Sequence, residues 1–192
     1  FKKITIQFNA ENDVSFLNPI KRVNYVLPLN KSYDEIYKGF NKNRRRDLKK
    51  IVLKNYKIDK QIDTSEFLNF YLNEPKSYQL NQDQIITVRN LLKVNNKAIF
   101  IWGIREGEKL IASLIWLKNN NRITYLLPIA TKEAKKSGFP TKLVIELITT
   151  HKNSNYILDF EGSMIPNVAN FYKSFGVQKE IYFLYQKSFH LF

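Results

Sequence analysis

The 192-residue sequence has no cysteine, two histidines, one methionine and six glycines. Without cysteine there are no disulfides, no thiolate nucleophile and no cysteine metal site. With His151 and His190 as the sole imidazoles, a histidine-rich metal centre and a histidine-based triad are not expected, and no metal is assigned. Nor is there an apolar run near the roughly 18 residues that a membrane span requires. The opening stretch FKKITIQF alternates as a strand and does not form the apolar core of a signal peptide, so the expected location is cytoplasmic. The chain opens on Phe1 within strand-like sequence, as expected of a piece of a longer polypeptide whose earlier elements pair with that strand. The chemistry left to it rests on carboxylates, tyrosines, serines, lysines and backbone groups.

What is abundant is apolar and basic. Hydrophobic residues make up 44% and aromatics 14% of the chain, enough for one principal core. Lysine and arginine number 31 against 17 acids, a formal charge of +14. That surplus fits an anionic partner: nucleic acid, a phosphorylated cofactor or an acidic surface. It equally fits the Lys-, Asn- and Ile-rich, Gly-poor composition of an AT-rich genome, and both readings stand.

Periodicity supplies the elements. KKITIQF and RVNYVLPL read as two strands joined by a loop containing Pro19. Ser32 to Glu35 has the Ser-x-x-Glu form of a capping box and opens one long helix to about Lys54, with Tyr33, Ile36, Tyr37, Phe40, Leu48 and Ile51 on one face. Arg44 falls near the centre of that apolar stripe and Asp47 near its edge. They form either an intrahelical ion pair, with Arg44 snorkelling past the core, or a site at which Arg44 meets a substrate carboxylate or phosphate. Helices follow over Ser65–Glu74, stopped before Pro75, and Gln82–Leu92, capped by Asn81. From Lys97 the pattern becomes a three-stranded meander, AIFIWGI, LIASLIWL and RITYLLPIA, turning at Glu106-Gly107 and at Asn119–Asn121. After TKEAKKSGFP comes a helix TKLVIELITTH with Pro140 in its first turn. Then come the strand YILDF, a short helix PNVANFYKSFG and a last strand KEIYFLYQKSF.

That order, with these residues, resembles the GNAT superfamily of N-acyltransferases, and within it the FemABX-like group of tandem GNAT-type proteins. GEKLIASLIWLKNNNRITYLLPIA resembles the central hairpin, KKSGFPTKLVIELI stands where the family binds its cofactor, and NFYKSFGV is similar to the aromatic-Tyr-x-x-x-Gly-apolar signature. The basic segment YDEIYKGFNKNRRRDLKKI resembles the connection between FemABX halves. The resemblance implies an α/β fold with a central mixed sheet flanked by helices. It divides the chain into 1–30, closing a first GNAT-like half, 31–96, a helical connection, and 97–192, a GNAT-like acyltransferase domain. It implies transfer of an acyl group from acyl-CoA to a primary amine on a small molecule or peptide. A FemABX-like use of aminoacyl-tRNA is the alternative. It also implies that Lys135, Lys136, the Gly138 amide and Thr141 hold the donor's phosphates, although Lys135-Lys-Ser-Gly138-Phe-Pro140 departs from the family's loop, Pro140 lacking one amide. Tyr172, from the signature, would protonate the leaving group.

The residues themselves point to the same place. Asp159 and Glu161 in DFEGS lie two apart near the carboxyl end of a strand, where open α/β sheets meet ligands. If both face a cleft, mutual repulsion and burial raise one pKa and suit it to take a proton from an attacking amine. The plainer readings are a helix cap or a pair with Lys173 for the carboxylates, a core position for Tyr172, a turn residue at Ser163, and a favourable charge at a helix end for His151. Tyr125 and Ser163 join Arg44 as candidate acceptor contacts. A different class of function, a nucleic-acid-binding module, would rest on the basic helix over 38–60.

Overall fold

The computed structural model describes residues 3–76, 79–94, 97–161 and 165–188. Its strands are β1 (Lys3–Phe8), β2 (Ile20–Pro28), β3 (Lys57–Asp59), β4 (Ile99–Glu106), β5 (Lys109–Asn119), β6 (Arg122–Ala130), β7 (Ile157–Asp159) and β8 (Gln178–Ser188). Its helices are α1 (Tyr33–Lys38), α2 (Lys42–Ile51), α3 (Thr64–Asn73), α4 (Gln82–Lys93), α5 (Lys132–Ser137), α6 (Phe139–His151) and α7 (Pro166–Lys173). The strands form one mixed sheet in the order β1-β8-β2-β7-β6-β5-β4-β3. Every neighbouring pair is antiparallel except β6 and β7, which run parallel. No helix among the described residues is long and apolar enough to cross a membrane.

Two apolar layers sandwich the sheet. On one face Ile36, Ile51, Ala134, Leu147, Ile148 and Tyr172 bring α1, α2, α5, α6 and α7 against Leu114, Trp116, Ile123 and Leu158. On the other, Phe67 and Tyr71 of α3 pack with Leu92 of α4 over Ile101, Ile115 and Ile129. The meander, its turns and the two capped helices 64–73 and 82–93 follow the periodicity, and Asn81 and Gln84 form a reciprocal capping box. Residues 1–30 supply two strands of this same sheet, and 31–96 contribute helices to both of its faces.

The single helix expected over 32–54 is two. The Ser32–Glu35 capping box opens α1, but the chain turns at Gly39, whose N–H donates to the Ile36 carbonyl at 3.0 Å. Asn41 then caps α2 by accepting from the Asn43 and Arg44 amides at 3.0 and 3.2 Å. The cause is tertiary: the Asn41 N–H donates to the Ser174 carbonyl at 3.0 Å, and Gly39 lies flat on Gly176. Gly176 has φ +74°, and a Cβ placed there would stand 2.8 Å from the Gly39 Cα. Two further elements, β3 and α5, were not expected from sequence; β3 is three residues at the sheet edge.

The Gly39–Gly176 contact predicts that Gly176→Ala combines a left-handed φ with a backbone clash. The expected loss is about 1–3 kcal/mol in urea unfolding, whereas Gly107→Ala, strained in φ but with open space around it, loses less.

Candidate active site

The site exists because β6 and β7 part. Their parallel ladder holds for three pairs, Arg122↔Ile157, Ile123↔Leu158 and Thr124↔Asp159, while β6 runs on to Ala130 with Leu127 at φ +42°. Beyond the last pair the two strands no longer satisfy each other, and a cleft of about 360 Å³ opens, lined by Arg44, Tyr125, Lys135, Thr141, Phe171 and Tyr172 among others. This is the carboxyl end of two parallel strands, where ligands meet open α/β sheets.

Tyr125 and Tyr172 form the floor, their rings edge to face with centroids 6.0 Å apart, and Tyr172 also packs on Phe160 at 4.8 Å. Burial, followed by the negative charge of Glu161, pushes the Tyr172 hydroxyl up to about 12. Burial, followed by Tyr172, raises Tyr125 further, against the opposing pull of Arg44. Both are therefore neutral donors at physiological pH.

One wall is an ion pair across three elements. Arg44 and Asp47 of α2 meet at 3.1 Å. The Thr141 hydroxyl of α6 accepts from Arg44 Nη1 at 2.5 Å and donates to Asp47 Oδ2 at 2.9 Å. The guanidinium lies 4.6 Å over the Phe171 ring. The intrahelical reading of the pair holds, the residues being bonded i to i+3, and Arg44 also lines the cleft. Desolvation lowers the Arg44 pKa and Asp47 opposes it.

The expected phosphate cradle looks different in three dimensions. Gly138 has φ +89°, and its N–H closes α5 onto Ala134 and Lys135 carbonyls. Its missing side chain makes room for Asp47, whose Cβ would stand 2.7 Å from an added Cβ. The Asp47 side chain therefore packs against Gly138 beside the start of α6, where its charge opposes a bound anion, and its carboxylate bonds the Thr141 hydroxyl. Thr141 is spent on the same ion pair. Of the four residues, Lys135 and Lys136 keep exposed side chains, and Lys135 stands at the cleft. The residues present do not fit a pyrophosphate bound on the α6 amides.

The strand expected to carry Asp159 and Glu161 on one face ends at Asp159. Asp159 points to the sheet face opposite Leu158 and Phe160. There Arg122 Nη1 donates to its Oδ2 at 2.6 Å and Asn24 Nδ2 to its Oδ1 at 2.8 Å. Arg122 reaches Glu180 at 2.6 Å as well, so four adjacent strands are tied by one polar cluster. Asp159 is thus away from the Tyr172 cleft, and its Oδ1 also accepts the Glu161 N–H at 2.8 Å. Glu161 lies past the strand at φ +60°, exposed, and lines the same depression as Asp159, Arg122 and Glu180, next to but outside the Tyr172 cleft lining. Desolvation raises its pKa, the Asp159 charge adds to this and Arg122 opposes it. Glu161 is coupled electrostatically to Asp159 on one side and to Tyr172 on the other. Ser163 lies outside the described residues. His151 ends α6 with Nδ1 2.9 Å from the Leu147 carbonyl, but burial lowers its pKa and disfavours the charge expected at that helix end. Sequence reasoning missed Arg122, Asn24 and Glu180, whose partners lie 37 to 156 residues away, and no local pattern marks them.

Set beside solved structures, this architecture matches FemX with a TM-score of 0.64 at 8% identity, over 93% of this chain and 65% of that one. It matches L-PGS from Bacillus licheniformis at 0.52 and 13% identity, over 96% of this chain and 62% of that one. It also matches a tandem GNAT protein from the clavulanic acid biosynthesis pathway at 0.51 and 12% identity, over 95% of this chain and 55% of that one. The chain therefore spans less than two thirds of these proteins and has the GNAT-like fold of FemABX type. No protein-family model matches the sequence, and no curated protein matches it.

Two outcomes test this geometry. Asp47→Ala leaves the Arg44 guanidinium buried without its partner and is expected to cost about 3 kcal/mol in urea unfolding, most of it restored when Arg44 is also changed to leucine. Folding raises the Glu161 pKa, so its contribution to stability is full at low pH and is lost as pH rises through the raised value. Glu161→Gln is expected to raise the unfolding midpoint at neutral pH, and the gain should vanish in acid.

Proposed function

We propose that the cleft transfers an acyl or aminoacyl group from an activated ester or thioester to a primary amine, with Glu161 as base and Tyr172 as acid. The observation that carries this reading is a cleft at the carboxyl end of the parallel pair β6 and β7 with the buried Tyr172 on its floor, close enough to Glu161 for that charge to help raise the tyrosine's pKa. An ammonium must lose a proton before it attacks, and a carboxylate of raised pKa is a better acceptor for it than an ordinary one. The amine then forms a C–N bond to the carbonyl carbon, and the carbonyl oxygen takes the negative charge. As the C–O or C–S bond breaks, Tyr172 gives its proton to the leaving group, the acylated nitrogen returns its second proton to the phenolate, and Glu161 releases the first proton to water. Asp159 positions: its carboxylate holds the Glu161 amide, and Arg122 and Asn24 hold the carboxylate. Tyr125 and Arg44 offer N–H and O–H donors toward the acyl group, and no metal is required by any step.

The donor follows from two features. An acid with a pKa of about 12 matches an alkoxide leaving group, whereas a thiolate, whose conjugate acid lies near about 8.5, leaves without one. The Asp47 carboxylate beside the start of α6 disfavours a pyrophosphate there. Both features support an aminoacyl ester of a nucleic acid over acyl-CoA, and Lys135 and Lys136 are the groups left to meet its phosphates. The amine acceptor, small molecule or peptide, reaches Glu161 from its exposed side.

With an aminoacyl-tRNA donor and a primary amine acceptor, Glu161→Gln is expected to lower kcat by about 10²–10⁴ and to remove the acidic limb of the pH–rate profile. Tyr172→Phe should lower kcat with the ester donor more than with a thioester. Calorimetric titration with acetyl-CoA, alongside Lys135→Ala/Lys136→Ala, tests the donor: saturable binding lost in the double variant returns the assignment to acyl-CoA. Unchanged turnover in both Glu161→Gln and Tyr172→Phe would sink the site assignment.

A further inference from the structure

Helix α2 ends in an apolar pair that the fold leaves bare. Ile51 is buried, but Val52 and Leu53 are 81% and 85% exposed. The turn that presents them is fixed, its amides donating to the Leu48 and Lys50 carbonyls at 3.3 Å. Around the pair stand the exposed Lys49, Lys50 and Lys54, and α5, packed beside α2, adds Lys132, Lys135 and Lys136. Lys50 Nζ reaches across to the Lys136 carbonyl at 3.4 Å. From Lys42 to Lys54 the chain has seven basic residues and one acid. That acid, Asp47, is buried against Arg44, so this stretch shows solvent lysine and arginine and no free carboxylate.

The two properties together select the partner. A nucleic-acid backbone would use the cations but gains nothing from two bare aliphatic side chains, whose hydration cost remains. A bilayer containing anionic lipid uses both: aliphatic groups enter the boundary below the headgroups, while lysine ammonium groups stay at the phosphates on their flexible stems. We propose that the end of α2 is a membrane-docking element that seats Val52 and Leu53 in the interface of an anionic bilayer. Asp47, on the cleft wall, precedes Val52 by five residues, about 8 Å along the helix axis. Docking therefore holds the cleft mouth close to the headgroup layer. This inference stands apart from the transfer chemistry and survives if that chemistry is reassigned.

The absence of cysteine makes the test direct, since Leu53→Cys provides one attachment point for an environment-sensitive fluorophore. The labelled protein is titrated with phosphatidylglycerol–phosphatidylcholine vesicles, with pure phosphatidylcholine vesicles and with an RNA hairpin. The expected result is a blue shift on the anionic vesicles that weakens as salt rises, little on phosphatidylcholine, and none on RNA. In flotation of unlabelled protein, Val52→Ser/Leu53→Ser should reduce partitioning onto anionic vesicles at least about tenfold. Circular dichroism of that variant should be unchanged, since both side chains are exposed. The proposal is overturned by no vesicle binding, or by binding that survives the double substitution. It is equally overturned by a blue shift on RNA, or by one that grows with protein concentration in the absence of lipid, which would identify a second copy as the occupant.

Discussion

The cleft depends on one carboxylate. Asp47 binds Arg44 within its own helix and Thr141 across to the next layer, and the space it fills is the space that Gly138 leaves open. With the bond from Arg44 to the same hydroxyl, it ties α2 to the start of α6 and helps hold the guanidinium above Phe171. The Asp47 charge stands beside the start of α6 and opposes a second anion there. One carboxylate oxygen, Oδ2, takes both the guanidinium and the hydroxyl.

A second cluster works on the far side of the sheet. Where β6 and β7 separate, backbone bonds can no longer hold the strands, and side chains take over: Arg122 of β6, Asp159 of β7, Asn24 of β2 and Glu180 of β8 join four neighbours in one network. Its cost in desolvation is offset because each charge has a partner of opposite sign and several hydrogen bonds. Its reach into the site is the single bond from Asp159 to the Glu161 amide, which helps hold a non-glycine residue at positive φ. Asp159 and Glu161 line one depression with Asn24, Arg122 and Glu180, the first carboxylate bonded into the network and the second held by it.

Local signals were legible in the sequence and long-range ones were not. The capping boxes at Ser32 and Asn81, the turns of the meander and Pro140 at the head of α6 are written in neighbouring residues, and the structure follows them. The break at Gly39 was invisible because Tyr37 and Phe40 keep the helical period while the cause, Gly176, lies far along the chain. The period of two placed Asp159 and Glu161 together, but that rule applies only inside a strand, and β7 stops at Asp159. Asp47 was noticed as an odd residue on an apolar stripe; what it bonds to could not be read, since nothing near it announces Thr141.

The position of β8 has a consequence for how the molecule is made. Strand β8 lies between β1 and β2, both of which precede it by most of the sequence described here. Until it emerges, β1 lacks its one neighbour in the sheet and β2 lacks a partner along one edge. Everything from β1 through β8 must therefore leave the ribosome before β1 and this edge of β2 can be paired. Such late, non-local closure makes folding slow and keeps unpaired strand edges open to other chains meanwhile. Loss of β8 would leave β1 without the strand it pairs with among the described residues, and β2 paired with β7 alone.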